Sequence, residues 1–572
     1  MTHLTHVDAD EGGERWWKSA VVYQVYPRSF ADSDGDGVGD LPGITGRLDH
    51  LHRLGVDVVW LSPVYPSPQD DNGYDVSDYT DIDPTFGTLA DLDELADGLH
   101  RRGMKLVMDL VFNHSSDEHP WFQASRSGHD DPKRDWYWWR PARPGMAPGT
   151  PGAEPNNWGS IFSGPAWEFD EATGEYYLHL FSRKQPDLNW ENPAVRHALY
   201  DVMRFWLDRG VDGFRLDVIN FISKDVRLPD GHVGPGSRFG DGSPYFMSGP
   251  RIHEFLQEMH REVIAPHRRP TLLVGEMPGV TLEEARAFTD PARGEVDMVF
   301  QFEHVQLDQG TSKWDPQPLD LRALKASLAR WQVGLAERGW NSLYLNNHDQ
   351  PRAVSRFGND GTHRVAAAKM LATVLHLHRG TPFVYQGEEL GMTNAAFDRI
   401  ESFRDIESRN HFAEAVAGGT DPAHVLDLLQ ERSRDNARTP MQWDDSTNAG
   451  FTTGTPWIEV NPNHAAINAA AAVADPDSVF HHYRRLIELR HTDRVVVHGD
   501  FTLLLPDDPR VHAFTRRLDD VELLVLGNFG DTRVRPDLDG WAGAEVLVGA
   551  AAGDLLELDP WEGRVLRRHH RG

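Results

Sequence analysis

The feature that most constrains the fold is a repeated alternation of short apolar, β-rich runs with segments of helical periodicity. Eight such runs occur, at residues 21–25, 56–61, 105–111, 211–217, 271–276, 297–302, 342–346 and 381–386. Between the first two, Ile44, Leu48, Leu51 and Leu54 recur on one helical face. Strands that alternate with amphipathic helices are typical of a parallel sheet. Eight repeats predict an α/β fold built on a (β/α)₈ TIM barrel.

Long interruptions of this pattern predict additional domains. Residues 115–187 lose the periodicity and are rich in Trp, Pro, Gly and Asn, over a length that is unusual for a loop. We expect an inserted domain B there, after strand three, between barrel parts at 1–114 and 188–493. A second insertion is expected at about 391–462. Alternating apolar and polar residues in 494–572 predict a C-terminal antiparallel β-sandwich domain.

Composition excludes several classes of function. Acidic residues outnumber basic ones by 88 to 57, and the net charge of −31 repels nucleic acids and anionic membranes. The absence of cysteine excludes thiolate nucleophiles and disulfides. The first 14 residues lack the features of a signal peptide, and no apolar run reaches the length of a membrane span. These observations predict a cytoplasmic protein with no nucleic-acid or membrane partner.

Acidic side chains stand where three of the predicted strands end: Asp217, Glu276 and Asp349. The carboxyl ends of barrel strands are where barrel enzymes carry their catalytic residues. Two carboxylates that flank one bond are what glycoside hydrolysis needs, and no catalytic cofactor is required. The alternative interpretation is that these acids form salt bridges at the barrel rim with Arg215 and Arg352.

Two histidines and a group of aromatic residues occur in the same regions. His114 and His348 follow strands three and seven, where they could hydrogen-bond a sugar or serve a structural role. Tryptophans cluster at 136–139, and such rings either stack on sugars or fill a core. Neither feature distinguishes function from packing by itself.

A glycine-rich acidic loop near the start of the chain predicts a cation site. Asp32, Asp34, Asp36 and Asp40 alternate with small residues, as in the first half of an EF-hand loop. Their carboxylates and the Val38 carbonyl would bind a structural Ca²⁺ or Mg²⁺ ion. The alternative is an acidic surface turn without an ion.

Several long segments resemble the α-amylase superfamily of glycoside hydrolases (family 13), within its oligo-1,6-glucosidase and α-glucosidase group. DLVFNHSS (109–116), GFRLDVINFISK (213–224), VGEMPGVT (274–281) and NNHDQPR (346–352) resemble the four main sequence regions of that superfamily. QPDLN (185–189) resembles the region that marks the oligo-1,6-glucosidase branch. The resemblance extends over nearly the whole chain.

The resemblance implies a retaining mechanism and assigns its groups. Asp217 would be the nucleophile that forms a covalent glucosyl intermediate, and Glu276 the acid and base. Asp349 would hold sugar hydroxyls in the transition state. Arg215 would keep the Asp217 carboxylate ionised.

The resemblance also implies a substrate specificity. His114 and His348 would bind hydroxyls of the glucose unit, and Asp75 would pair with Arg434 to close the far end of its subsite. Such a site removes one terminal glucose at a time. Val218, directly after the nucleophile, is the residue found in members that prefer α-1,6 linkages such as those of isomaltose and panose. Its contribution to selectivity is limited to about 1–3 kcal/mol.

Other functions of the same fold stay open. An α-glucosidase that prefers α-1,4 linkages and transfers glucose, or a sucrose isomerase, would use the same carboxylates. A non-catalytic amylase-like binding protein would lack them. The expected partners are small oligosaccharides, and the protein is expected to be a monomer or a homodimer.

Overall fold

A computed structural model of the chain describes residues 15–550 and 553–570. The 14 residues on which the absence of a signal peptide was predicted lie outside these ranges. The described residues contain sixteen β-strands, numbered β1 to β16 in chain order: Val22–Val25, Val58–Leu61, Lys105–Leu110, Trp139–Arg140, Trp167–Asp170, Glu175–Leu178, Gly213–Leu216, Leu272–Glu276, Met298–Phe300, Ser342–Leu343, Thr381–Tyr385, Asp500–Leu504, Val511–Leu518, Val521–Asn528, Glu545–Val548 and Gly563–His569.

Seventeen α-helices lie in the same ranges and are numbered α1 to α17. Their bounds are Leu41–Gly46, Leu48–Leu54, Leu89–His100, Pro120–Ser125, Pro193–Asp208, Ser243–Phe246, Ile252–Met259, Leu282–Thr289, Leu321–Gly334, Ala353–Phe357, Arg364–His376, Ile406–Ala417, Pro422–Arg432, Asp435–Arg438, Ala469–Ala474, Val479–Thr492 and Arg494–His498.

Eight parallel strands form the barrel that the sequence predicts. Their order in the sheet is β10-β11-β1-β2-β3-β7-β8-β9. A parallel bridge between Val299 and Asn341 joins the two edge strands. The fold class is therefore confirmed as a (β/α)₈ barrel. Because helices cover the outside of the sheet and side chains fill its inside, strands such as β1, β2 and β8 are buried at every residue.

Helices begin and end at the positions that their capping residues set. Thr88 accepts a hydrogen bond from the Asp91 amide, and the Asp91 side chain accepts one from the Thr88 amide, so both donors at the start of α3 are satisfied. The single helix expected over Ile44 to Leu54 is two helices, since the chain leaves helical geometry at Arg47.

Domain B follows β3 and contains a three-stranded antiparallel sheet in the order β4-β6-β5. The tryptophans at 136, 138 and 139 are at most 9% exposed, so they serve packing. The apolar core of domain B continues into Val218 and Phe221, which follow β7. The inserted domain is thereby packed against the segment that carries Asp217.

The C-terminal domain has one antiparallel sheet, in the order β12-β13-β14-β16-β15. Strands β14 and β16 contact α11 of the barrel. Irregular chain covers the opposite face and contributes Val534, Trp541 and Leu558. A single antiparallel bridge pairs Val534 with Leu558. The prediction of a C-terminal antiparallel β domain is therefore confirmed; in the described residues coil, and not a second sheet, covers the opposite face.

Within residues 15–550 and 553–570, no helix is both long enough and apolar enough to cross a bilayer.

Candidate active site

The three acidic residues singled out in the sequence lie together at one end of the barrel. Asp217 directly follows β7, Glu276 is the last residue of β8, and Asp349 lies in the segment after β10. Since parallel strands in a barrel all end at the same rim, these chain positions bring the carboxylates to one place.

Arg215 connects the two carboxylates on the neighbouring strands β7 and β8. Its Nη1 lies 2.6 Å from Asp217 Oδ1 and 2.8 Å from Asp109 Oδ1. Its Nη2 lies 2.7 Å from Glu276 Oε1. The second oxygen of Glu276 accepts the Val218 amide at 3.1 Å. One buried guanidinium therefore fixes the nucleophile candidate and the acid candidate relative to each other.

The same burial tunes the protonation of these groups. Burial raises the pKa of Asp217 to about 7, although Arg215 acts in the opposite direction. Burial likewise raises the pKa of Glu276 to about 8, with the Asp217 charge adding to the effect. Arg215 thus lowers the pKa of Asp217, as expected, but does not outweigh burial. Near neutral pH one carboxyl can stay protonated while the other is ionised, as acid and nucleophile roles require.

Asp349 has the opposite electrostatic environment. Its Oδ1 accepts Arg434 Nη1 at 3.2 Å and Arg438 Nη2 at 2.8 Å. Burial alone would raise the pKa of Asp349, but His348, Arg434 and Arg438 together hold it below the usual range. This third carboxylate is therefore an anion that can accept sugar hydroxyls.

Of the two acids in this segment, Asp71 and not Asp75 pairs with Arg434, so the predicted pairing of Asp75 with Arg434 was wrong. Arg434 Nη2 lies 3.1 Å from Asp71 Oδ1. Asp75 instead accepts the amides of Asp70 and Asp71 at 2.8 and 3.1 Å. The loop turns back on itself there, so the second acid of the DNGYD segment stabilises the turn and the first faces Arg434. The sequence contained both acids and gave no means of choosing between them.

The two predicted histidines are buried beside these acids. His348 Nε2 lies 2.7 Å from the Tyr74 hydroxyl and 3.2 Å from Asp349 Oδ2. His114 Nε2 lies 3.1 Å from the Tyr74 carbonyl oxygen. Burial lowers the pKa of His348 to about 3 and that of His114 to about 4. Both rings are therefore neutral hydrogen-bonding groups at physiological pH.

Tyr74 is a site residue that the sequence analysis missed. Its ring stacks on His348 with centroids 5.2 Å apart and planes 6° apart. Its hydroxyl donates to Asp109 Oδ2 at 3.0 Å. Asp109 was also missed, although an acid that follows three apolar residues inside the buried part of strand β3 is an unusual signal that could have indicated it.

A third residue that the sequence analysis missed, Lys224, joins domain B to the barrel. Its fully buried ammonium lies 2.9 Å from Asp187 Oδ2, 3.0 Å from Asn113 Oδ1 and 2.7 Å from the Phe221 carbonyl oxygen. These partners belong to the end of domain B, the segment after β3 and the segment after Asp217. Lys224 thus holds together three segments that border the carboxylates.

The alternative interpretation of the acids as rim salt bridges is contradicted at Arg352. Its guanidinium donates to the backbone carbonyls of Gln386, Asn436 and Ala437 and not to the three acids. Arg215 does bind two of the acids, but at the strand ends and within the buried site. The geometry therefore favours the catalytic interpretation.

Val218 adopts a conformation that β-branched residues rarely take. Its φ of 33° and ψ of 43° lie in the left-handed region. The residue is 6% exposed, and its side chain joins the apolar core of domain B. Val218 therefore does not continue the extended conformation of β7. Its left-handed backbone occurs at the point where the Val218 amide donates to Glu276 Oε2.

The acidic loop near the start of the chain brings together three of its predicted cation ligands. Carboxylate oxygens of Asp32, Asp34 and Asp40 lie within 4.8 Å of one another, and Asp36 is not part of this group. Gly35 and Gly37 have φ of 87° and 97°, which lets the loop turn tightly around them. Three carboxylate oxygens are a donor set that suits a hard divalent cation.

The barrel and the paired carboxylates at its rim define a glycosidase of the barrel class. The family model described as "Alpha amylase, catalytic domain" matches residues 24–499. The chain belongs to the alpha-amylase family. It is 58% identical to an oligo-1,6-glucosidase of Parageobacillus thermoglucosidasius, over 96% of this chain and 99% of that protein.

Solved structures of relatives have the same fold. Trehalose-6-phosphate hydrolase of Bacillus licheniformis is 46% identical, with a TM-score of 0.90 over 97% of this chain and all of that chain. Trehalulose synthase MutB of Pseudomonas mesoacidophila MX-45 is 43% identical, with a TM-score of 0.90 and the same coverage. One scaffold therefore carries several reactions on glucosides.

Proposed function

We propose that this protein is an exo-acting, retaining α-glucosidase that removes terminal glucose from short oligosaccharides and favours α-1,6 linkages. The observation that carries the proposal is Arg215, which binds both Asp217 and Glu276 at the ends of adjacent strands. The sequence identity to oligo-1,6-glucosidases supports the preference for α-1,6 linkages, as does Val218 directly after the nucleophile.

The reaction proceeds in two displacements. The Asp217 carboxylate attacks the anomeric carbon, and the bond to the leaving oxygen breaks as Glu276 gives that oxygen its proton. Ionised Glu276 then takes a proton from water, the water oxygen attacks the anomeric carbon, and the ester to Asp217 breaks. Each displacement inverts the configuration, so the released glucose is the α-anomer.

Groups around the glucose unit favour exo-action. Arg434 binds Asp349, Asp71 and Asp405 in a buried ionic cluster. Such a cluster provides paired charges for the hydroxyls of a terminal glucose. Neutral His114 and His348 and the ring of Tyr74 complete the binding groups.

The test is a competition assay with isomaltose, maltose and sucrose at equal concentrations, in which glucose and other products are separated by chromatography. Glucose release fastest from isomaltose supports the proposal, and Glu276→Gln should lower that rate about 10²- to 10⁴-fold. Faster release from maltose would contradict the linkage preference. Conversion of sucrose into an isomer would favour the sucrose isomerase alternative, to which the likeness to trehalulose synthase lends some support.

The acidic loop is proposed to hold a structural Ca²⁺ or Mg²⁺ ion. Asp32, Asp34 and Asp40 would bind it through carboxylate oxygens, and the Val38 carbonyl would add a further ligand. The ion would stabilise the loop and has no part in the chemical steps. A cytoplasmic location and a monomeric or homodimeric state complete the proposal; cell fractionation and light scattering measure them.

A further inference from the structure

Asp308, in the loop after β9, binds two arginines at the edge of the catalytic face. The residue is 2% exposed. Arg356 of α10 places Nε and Nη2 at 2.7 and 2.6 Å from its two carboxylate oxygens. Arg432, the last residue of α13, places Nη1 at 2.7 Å from Oδ2. The loop after β9, α10 and α13 are thus held together by one buried carboxylate.

The remaining nitrogen of Arg356 orients a side chain next to the catalytic carboxylates. Arg356 Nη1 donates to Gln350 Oε1 at 2.6 Å. Gln350 directly follows Asp349, and these two residues are partly accessible whereas the residues from Asn341 to His348 are buried. An amide has one oxygen acceptor and one NH₂ donor, so a bond through the oxygen leaves the NH₂ group for a ligand.

The direction of this side chain indicates which part of the substrate it would meet. Asp349 accepts a hydrogen bond from Arg434, which lies at the end of the site proposed to hold the terminal glucose. Gln350 instead contacts Arg356, which binds Asp308 in the loop after β9. In the barrel β9 lies between β10 and β8, and β8 carries Glu276, the acid that protonates the leaving oxygen. A leaving sugar bonded through the oxygen that Glu276 protonates would then extend past β9, toward the loop that Gln350 approaches.

We infer that Gln350 is a specificity-determining residue whose NH₂ group, oriented by Arg356 and Asp308, donates a hydrogen bond to a hydroxyl of the leaving sugar. The inference rests on the proposed α-glucosidase function. An aglycone without hydroxyls gains nothing from this donor. Gln350 thus selects for a sugar as leaving group.

The experiment compares isomaltose with phenyl α-D-glucoside, whose phenyl group carries no hydroxyl, and measures glucose release from both. For Gln350→Met, the ratio of kcat/KM for isomaltose to kcat/KM for phenyl α-D-glucoside should fall roughly 3- to 10-fold, as expected for one hydrogen bond. Arg356→Lys should lower the ratio in the same direction, because one ammonium group cannot hold both Asp308 and Gln350.

A matched control is Arg330→Met, which removes the partner of Glu303 from an exposed pair near the same loop. For this variant, the ratio of kcat/KM for isomaltose to kcat/KM for phenyl α-D-glucoside should equal that of the wild type. If Gln350→Met lowers kcat/KM for both substrates in parallel, or lowers only Tm, the side chain is structural and the inference is wrong. A wild-type enzyme that hydrolyses neither substrate would instead contradict the proposed function.

Discussion

Removal of the Arg215 guanidinium should shift the whole pH profile of the enzyme to higher pH. The group donates to Asp217 at 2.6 Å and to Glu276 at 2.7 Å. A hydrogen bond to a charged group contributes about 1.5–3 kcal/mol, and one pKa unit corresponds to about 1.4 kcal/mol. In Arg215→Met the pKa of each carboxyl should therefore rise by about one to two units.

The assay is kcat/KM for phenyl α-D-glucoside between pH 5 and pH 10. In the wild type the pKa values of about 7 and about 8 predict an optimum between them. Below the pKa of Asp217, kcat/KM falls tenfold per pH unit. A rise of one to two units in that pKa should therefore lower kcat/KM of the variant at pH 6 by about 10- to 100-fold from ionisation alone. A loss of equal size at every pH, with both limbs unmoved, would refute the electrostatic role of Arg215.

Stability provides an independent check on the same variant. Because burial raises the pKa of Asp217 from its ordinary value of 3.8 to about 7 in the folded protein, folding binds protons. This contribution to the free energy of unfolding is present below pH 4 and is lost as the pH rises through 7. Arg215→Met should therefore lose more Tm relative to wild type at pH 8 than at pH 5, whereas Arg330→Met should not.

Three further outcomes follow from other contacts. Asp71→Asn, which removes the charge that faces Arg434, should lower kcat/KM for isomaltose by about 10-fold or more, whereas Asp75→Asn should mainly lower Tm. Lys224→Met leaves Asp187 buried without its cation and should lower the free energy of unfolding, measured in urea, by about 3–5 kcal/mol. EDTA should lower the Tm of the wild type but leave that of Asp34→Asn unchanged if the acidic loop holds a cation.

The barrel was predictable because its determinants are local. Each strand is a short apolar run and each helix has its own apolar face, so their order along the chain implies a parallel sheet. The placement of Asp217, Glu276 and Asp349 followed from the same rule, since a strand end is a position in sequence as well as in space. The second face of the C-terminal sheet was not predictable, because Val534, Trp541 and Leu558 pack there as coil without a strand pattern.

Residues that act across the site were harder to find from sequence. Lys224, Tyr74 and Asp109 make their contacts with segments up to 274 positions away along the chain. A lysine between a serine and an aspartate, or a tyrosine in a turn, has no local signature that separates a buried role from an exposed one. Only the packing of domain B against the barrel rim determines these roles.

Asp71 and Asp75 show that a family motif can identify a segment of the site without identifying which of its acids contacts Arg434. Both acids belong to one short segment and both are buried. Asp75 accepts two backbone amides of its own loop, which is a requirement of the turn. Asp71 is held by Arg434. Burial raises the pKa of Asp71 to about 7, and Arg434 opposes that shift whereas Asp349 adds to it, so residues of two other loops affect its protonation. A substitution at Asp71 therefore acts on substrate binding, whereas one at Asp75 acts through the conformation of the loop that positions Asp71.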